Sequence, residues 1–236
     1  MAKKVKKQQQ DSTPQHESVL ESAEALQEEI SKTQELAEKN KNVLIGAFVV
    51  VILIIAGVFY FKYQKQQDEI AAQTQLFPSQ FYWDKDSLGK ALDGDGNYTD
   101  GFAAIANNYS STAGGDLAGF YAGVIHLKKG EYDQAISALE SFSANDYLVQ
   151  ARAYSLIGDA YFEKGEIGSA ISQYEKAISY YPNEQFTPAY ILKLAFAYEE
   201  NGNNEAAKEA YQKILDEYES SVEASKAKKY MSMLAE

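Results

Sequence analysis

Cysteine is absent from this chain of 236 residues. That excludes disulfides, lipoprotein attachment and thiolate metal sites, but it does not fix a compartment, because many exported proteins also lack cysteine. Basic residues are scarce where the chain is largest. Residues 66–236 carry 13 lysines and arginines against 26 aspartates and glutamates, while residues 1–42 are nearly neutral, with 7 lysines against 8 acids. A large segment this acidic is a poor ligand for phosphate backbones, so a nucleic-acid partner is not expected. Histidine occurs twice, as His16 and His126. No glycine-rich phosphate loop, Gly-x-Ser-x-Gly elbow or metal-ligand spacing occurs. The expectation is therefore a protein without catalysis, cofactor, metal or small-molecule substrate. One acidic loop calls for a test as a calcium site, DGDGN from Asp93 to Asn97. It offers oxygens at three EF-hand places, but Tyr98 stands where glycine is needed and Ala104 where glutamate is needed. It reads as a Gly/Asp turn.

Long apolar runs are rare too, and the one present is decisive. Val43 to Phe61 is 19 residues without a charge, between Lys41 and Lys62. As a helix it is about 28 Å long, close to the thickness of a bilayer core. A buried helix of a soluble protein does not fit, because no other part of the chain is apolar enough to surround it. A cleaved signal peptide does not fit either: some 40 residues would precede the apolar stretch, and no small-residue cleavage site follows at once. Seven lysines precede the run, and Lys62 and Lys65 follow it. That bias places the N-terminus in the cytoplasm and the acidic segment on the far side. Tyr60, Phe61 and Tyr63 are the expected interfacial anchors.

The leading segment divides in two. Residues 1–17 read as a disordered tail. Residues 18–41 read as a cytoplasmic amphipathic helix, opened by a Ser18/Glu21 capping box, with a weak heptad seam of Val19, Ala23, Leu26, Ile30, Thr33 and Ala37. A solvated helix near the membrane and a short coiled coil or docking helix both fit. After residues 42–62, the membrane span, residues 63–78 read as a helical stalk that Pro78 ends.

Residues 79–236 repeat. The clearest unit, ARAYSLIGDAYFEKGEIGSAISQYEKAISYYP, runs from Ala151 to Pro182. Small residues at Gly158 and Ala170 allow close helix approach, Gly165 makes the turn, and large residues fill the space between ridges. The unit before it has Gly123, Gly130, Ala135 and Leu139 at matching places. The unit after it has Leu194, Ala195, Tyr198, Gly202, Ala207 and Tyr211. Gly96 to Tyr109 reads as half of a degenerate leading unit, with its partner helix around Phe81 to Leu92. Ser220 and Glu223 open a polar capping helix that runs to about Ala235. His126 falls at an aromatic place of the first unit and reads as core packing. The fold expected is all-α: a solenoid of about three repeats with a leading hairpin and a C-terminal cap.

These units resemble tetratricopeptide repeats (TPR), in which the first helix of each unit lines a concave face. The resemblance implies inward positions at Leu117, Phe120, Val124 and Leu127, then Arg152, Ser155, Asp159 and Phe162, then Ala189, Leu192, Phe196 and Glu199. From these, Leu117, Phe120, Val124, Leu127, Arg152, Asp159, Phe162, Leu192 and Phe196 form the candidate partner groove. The places that hold lysine and asparagine in carboxylate-clamping relatives are apolar or acidic here, so that activity is not carried over. A face that is apolar at both ends suits an amphipathic helix or an extended apolar segment. Coverage of Leu117 to Leu127 by the leading hairpin is the alternative.

The arrangement over about residues 40–236 resembles the ancillary SecYEG translocon subunits of the YfgM type. The resemblance implies a single-pass bacterial inner-membrane protein with a periplasmic TPR domain. Its implied partners are translocon subunits, a periplasmic chaperone and exported chains. An assembly scaffold for another envelope machine, such as outer-membrane protein insertion, secretion or motility, is the alternative function.

Overall fold

The computed structural model describes residues 26, 27, 30, 31, 34, 38–143 and 146–234. The predicted tail, 1–17, lies outside them, as do Val19, Ala23, Thr33 and Ala37 of the predicted seam. Every regular element among the described residues is a helix, with no strand among them. In chain order the helices are α1 (Lys41–Asp84), α2 (Leu88–Asp93), α3 (Gly101–Asn108), α4 (Ala113–Lys128), α5 (Tyr132–Glu140), α6 (Tyr147–Glu163), α7 (Ile167–Tyr180), α8 (Thr187–Glu200), α9 (Asn204–Glu217) and α10 (Val222–Met233). The chain forms two units, Met1–Lys62 and Tyr63–Glu236.

In the first unit, α1 is apolar on every side from Val43 to Phe61. Its large side chains are exposed, among them Phe48 at 66 % and Leu53 at 64 %. None of its most apolar 18-residue window is buried inside the protein, and it is the one described helix long and apolar enough to cross a membrane.

In the second unit, α4/α5, α6/α7 and α8/α9 are three antiparallel hairpins, and each packs on its sequence neighbours. Their turns share one device. Gly130, Gly165 and Gly202 each adopt a positive φ of +74° to +78°. Each glycine N–H donates to the carbonyl three residues back (Leu127, Phe162, Glu199), and the next N–H donates five residues back (Glu131 to His126, Glu166 to Tyr161, Asn203 to Tyr198). This is the Schellman closure, which satisfies the last carbonyls of the first helix and needs a residue tolerant of the left-handed region. Four helix starts are capped by side chains: Thr112 accepts from the Gly115 N–H, Asp146 from Leu148 and Val149, Asn203 from Ala206, and Ser221 from Ala224. The cap of α10 is thus Ser221, one residue beyond the predicted Ser220.

Hairpin packing follows the sequence pattern. Ala170, Tyr174 and Ala177 are the buried ridge of α7. A Cβ at Gly158 would stand 2.6 Å from the Tyr174 ring, so the glycine is where the ring crosses α6. At the far end, α10 closes the third unit: Ala224 and Ala227 join Ile191, Tyr211 and Ile214 in one apolar cluster. At the near end, the leading cluster joins Phe102, Ile105, Leu92 and Ile125 to Ala72 and Leu76 of α1.

α1 does not end at Pro78; it runs through the proline to Asp84. A proline inside a helix costs about 3 kcal/mol. Packing beyond it offsets that cost. The Ser79 hydroxyl lies 3.1 Å from the Thr99 hydroxyl in a buried contact. Trp83 meets Tyr121 at 5.5 Å between ring centroids, and the Lys128 ammonium sits 4.7 Å above the Trp83 ring. Tyr82 and Trp83, in the last turn of this helix, pack against the leading cluster. The first helix of the leading unit is therefore α1 itself.

α1 also caps α4. The Glu69 carboxylate accepts from the Ala113 N–H at 2.7 Å and from the Gly114 N–H at 3.2 Å. A carboxylate at a helix N-terminus meets unsatisfied donors and the positive end of the helix dipole.

Candidate partner-binding face

The nine predicted groove residues do not form one surface. Phe120 and Val124 of α4 are buried between helices, in a cluster with Phe142, Ala153 and Ile157. Phe120 meets Phe142 at 5.2 Å. Leu127 is half-buried against the same cluster, beside Trp83. The leading hairpin does not carry this coverage alone; Phe142 and α6 carry much of it. Leu192 is buried in the third-unit cluster, where Phe196 is half-buried. The Tyr230 ring of α10 stands edge-on to Phe196 at 4.9 Å, so the capping helix covers that end. Phe162 is half-buried against Tyr174 and Leu194.

Two open features remain. The first is a cleft of about 530 Å³ around Leu117, which is 38 % exposed. Phe142 and Val149 share its apolar floor; Lys65, Glu69, Asp116 and Asp146 form its polar edge. Burial raises the Asp116 carboxyl above its usual range, and nearby Lys65 opposes the shift. The second feature is a polar band across the second and third units. The Asp159 carboxylate accepts from the Tyr174 hydroxyl at 2.9 Å and from the Lys193 ammonium at 2.7 Å. Lys193 also donates to the Ser155 hydroxyl at 3.1 Å. Burial, then the Asp159 charge, pushes the Tyr174 phenol far up, so it stays a donor. Arg152 is exposed on the same helix as Asp159. The Asp159 carboxylate is thus paired within the protein, with Lys193 and Tyr174.

Sequence reasoning missed Lys193, Lys65 and Glu69. Lys193 is a residue of α8 that reaches back to α6, and nothing local marks that contact. Lys65 and Glu69 fell in the predicted stalk, outside the domain that they join.

The loop tested for calcium is a closed turn. One Asp95 oxygen accepts from the N–H groups of Asn97, Tyr98 and Thr99, and the other from the Tyr82 hydroxyl. Among the described residues, no group of three or more His, Asp and Glu is placed to hold a metal ion. Backbone donors, that of Tyr98 foremost, lower the Asp95 carboxyl to about 2. The unfolded value is about 3.9. A group lowered in the folded state adds stability that is complete above the unfolded value and fades as pH falls through the folded one. Asp95→Asn keeps an acceptor oxygen without the charge. The expected result is a thermal-midpoint gap between wild type and Asp95→Asn that shrinks between about pH 4 and pH 2. A gap constant over that window would refute the assignment.

His126 is half-buried, and its Nδ1 lies 2.6 Å from Glu131, which also pairs with Lys129 at 2.8 Å. The predicted packing role is joined by this polar contact at the turn.

Residues 122–184 and 189–221 each match a tetratricopeptide-repeat family model. These segments are tetratricopeptide repeats. The uncharacterized protein ycf37 of Guillardia theta is 36 % identical over 97 residues, which is 39 % of this chain and 53 % of that protein. The chain thus spans about half the length of the curated relative it matches. The crystal structure of MamA superposes with a TM-score of 0.54 at 24 % identity, over 68 % of this chain and 85 % of that one. That likeness supports the TPR fold. TPR arrays mediate contacts between proteins, and both open features lie on or beside the repeats.

Proposed function

We propose that this chain is a membrane-tethered TPR adaptor on the periplasmic side of a bacterial inner membrane, beside the Sec translocon and a periplasmic chaperone, where it handles exported chains. The observation that carries the tether is the bare apolar stretch of α1. Each large apolar side chain left in water forfeits about 1.5–3 kcal/mol, and no described residue covers this stretch. A bilayer does. The lysine bias of the flanks supports a cytoplasmic N-terminus, and residues 42–62 are the span. The TPR units support protein partners. In this reading the cleft around Leu117 receives an apolar segment of the partner, with the Arg152–Asp159–Lys193 band beside it for polar contacts.

Two measurements test the reading. Protease added to spheroplasts should digest the repeat domain; a protected domain reverses the orientation. Leu117→Glu, at an exposed position, should leave the melting temperature unchanged and weaken recovery of translocon and chaperone subunits in a mild-detergent pull-down by about tenfold, a loss of about 1.4 kcal/mol. Undiminished recovery removes the cleft from the function. Recovery of a different envelope machine replaces the translocon with that machine.

A further inference from the structure

The part of α1 within the repeat unit, from Tyr63 to Asp84, has two faces with apolar residues, and the domain covers one. Ala72, Leu76 and Ser79 are buried. On the other face, Tyr63, Gln67, Ile70, Thr74, Phe77 and Phe81 follow one another in steps of four, three, four, three and four. All six are exposed. Tyr63 is 60 % exposed, Ile70 53 %, Phe77 76 % and Phe81 49 %. Alternating steps of four and three repeat every 3.5 residues, the period of a helix that lies along another helix. A helix that met only solvent on this side would have no reason to hold large apolar groups in that period.

We propose that this face is a self-association seam, docked against the same face of a second copy of this chain as a parallel, in-register helix pair. Charge selects the occupant. Residues 66–236 carry twice as many acids as bases, so two copies repel over most of their surfaces. The seam is free of that repulsion. Its flanking positions are Gln66, Gln73 and Gln80 on one edge and Gln64, Ala71 and Pro78 on the other. In a helix pair these are the positions where like charges would oppose each other, and none is charged. A strongly basic partner segment finds no carboxylate there to pair with. Two copies gain apolar burial at Tyr63, Ile70, Phe77 and Phe81 without bringing acids together. Gln67 and Thr74, polar seam positions, hold the register, because a shifted pair would set them against apolar rings. The Lys85 ammonium, 4.1 Å above the Phe81 ring, ends the seam. Only the parallel direction rests on the membrane reading, since two copies in one bilayer leave it on the same side.

The absence of cysteine makes the test direct. Ile70→Cys, Thr74→Cys and Phe77→Cys, each alone in the full-length chain in membranes, should oxidise to covalent dimers. Lys65→Cys, off the seam on the same helix, and Lys213→Cys on α9 should not. Wild type in mild detergent should show a protein mass twice 26.2 kDa by light scattering. Phe77→Glu should lower the dimer fraction about tenfold with an unchanged circular dichroism melt. A monomeric wild type, cross-linking without regard to face, or adducts only to a different protein would each overturn the proposal. Retention of the chain in carbonate-washed membranes is scored separately and reads the tether alone.

Discussion

Tyr211→Ala is expected to lower the unfolding free energy by about 3–5 kcal/mol, the range for truncating a buried aromatic. The side chain is fully buried. Its ring lies against Phe196 and Tyr230, so it joins the third repeat to the capping helix. Its hydroxyl donates to the Glu199 carboxylate. Burial first, and that hydrogen bond second, push the phenol well above its usual value, so it remains a donor across the neutral range. Tyr211→Phe separates the two contributions. It keeps the ring and removes only the donor, at about 1–2 kcal/mol. Domains are stable by only about 5–15 kcal/mol, so the alanine variant should show a much lower urea midpoint and the phenylalanine variant a modestly lower one. Equal losses in the two variants would mean that the ring contacts contribute little.

Gly158→Ala is expected to destabilise by about 1–3 kcal/mol, although alanine is the better helix former. The added Cβ would stand 2.6 and 2.7 Å from two Tyr174 ring carbons. The ring cannot swing aside freely. It is 3 % exposed, and its hydroxyl is held by Asp159, which also holds Lys193. Moving the ring therefore loosens α6, α7 and α8 together. Gly168→Ala, on α7, is the control: a Cβ there has nothing within 4 Å. Its melting temperature should match wild type or rise slightly, while Gly158→Ala falls by several degrees, at roughly 2–4 °C per kcal/mol for a domain of this size. Equal behaviour of the two variants would show that the close approach at Gly158 does not constrain the hairpin.

The repeats were legible because their signals are local. The turn glycines, the small residues at helix crossings and the aromatic ridge each recur within one unit, so aligning the units exposed them. The apolar run was legible by length alone. The face assigned to each first helix was less so. Phe120 and Val124 carry the pattern of an inward-facing row, but Phe142 and Trp83 reach them from segments that share no period with the repeats. Phe196 reads as part of an open face, because nothing in its own unit says that Tyr230 folds over it. Pro78 misled for a different reason. A proline is a local helix breaker, but the packing of Ser79, Tyr82 and Trp83 beyond it outweighs the break. The pairing of Asp159 is not legible in its own repeat, because its partner, Lys193, lies 34 residues away on another helix.

The carboxylate of Glu69 at the start of α4 bears on how the repeats could be released from an anchor. A protease that cut just before Phe81 would appear to leave every repeat intact. It would in fact remove the cap of α4 and the Ala72 and Leu76 side chains from the leading cluster. The fragment would begin with exposed apolar surface and unsatisfied helix donors. A cut between Tyr63 and Lys65 would leave both in place. The packing of the domain stays whole only when the cut falls before Glu69, within a few residues of the apolar stretch; a cut further along opens that end.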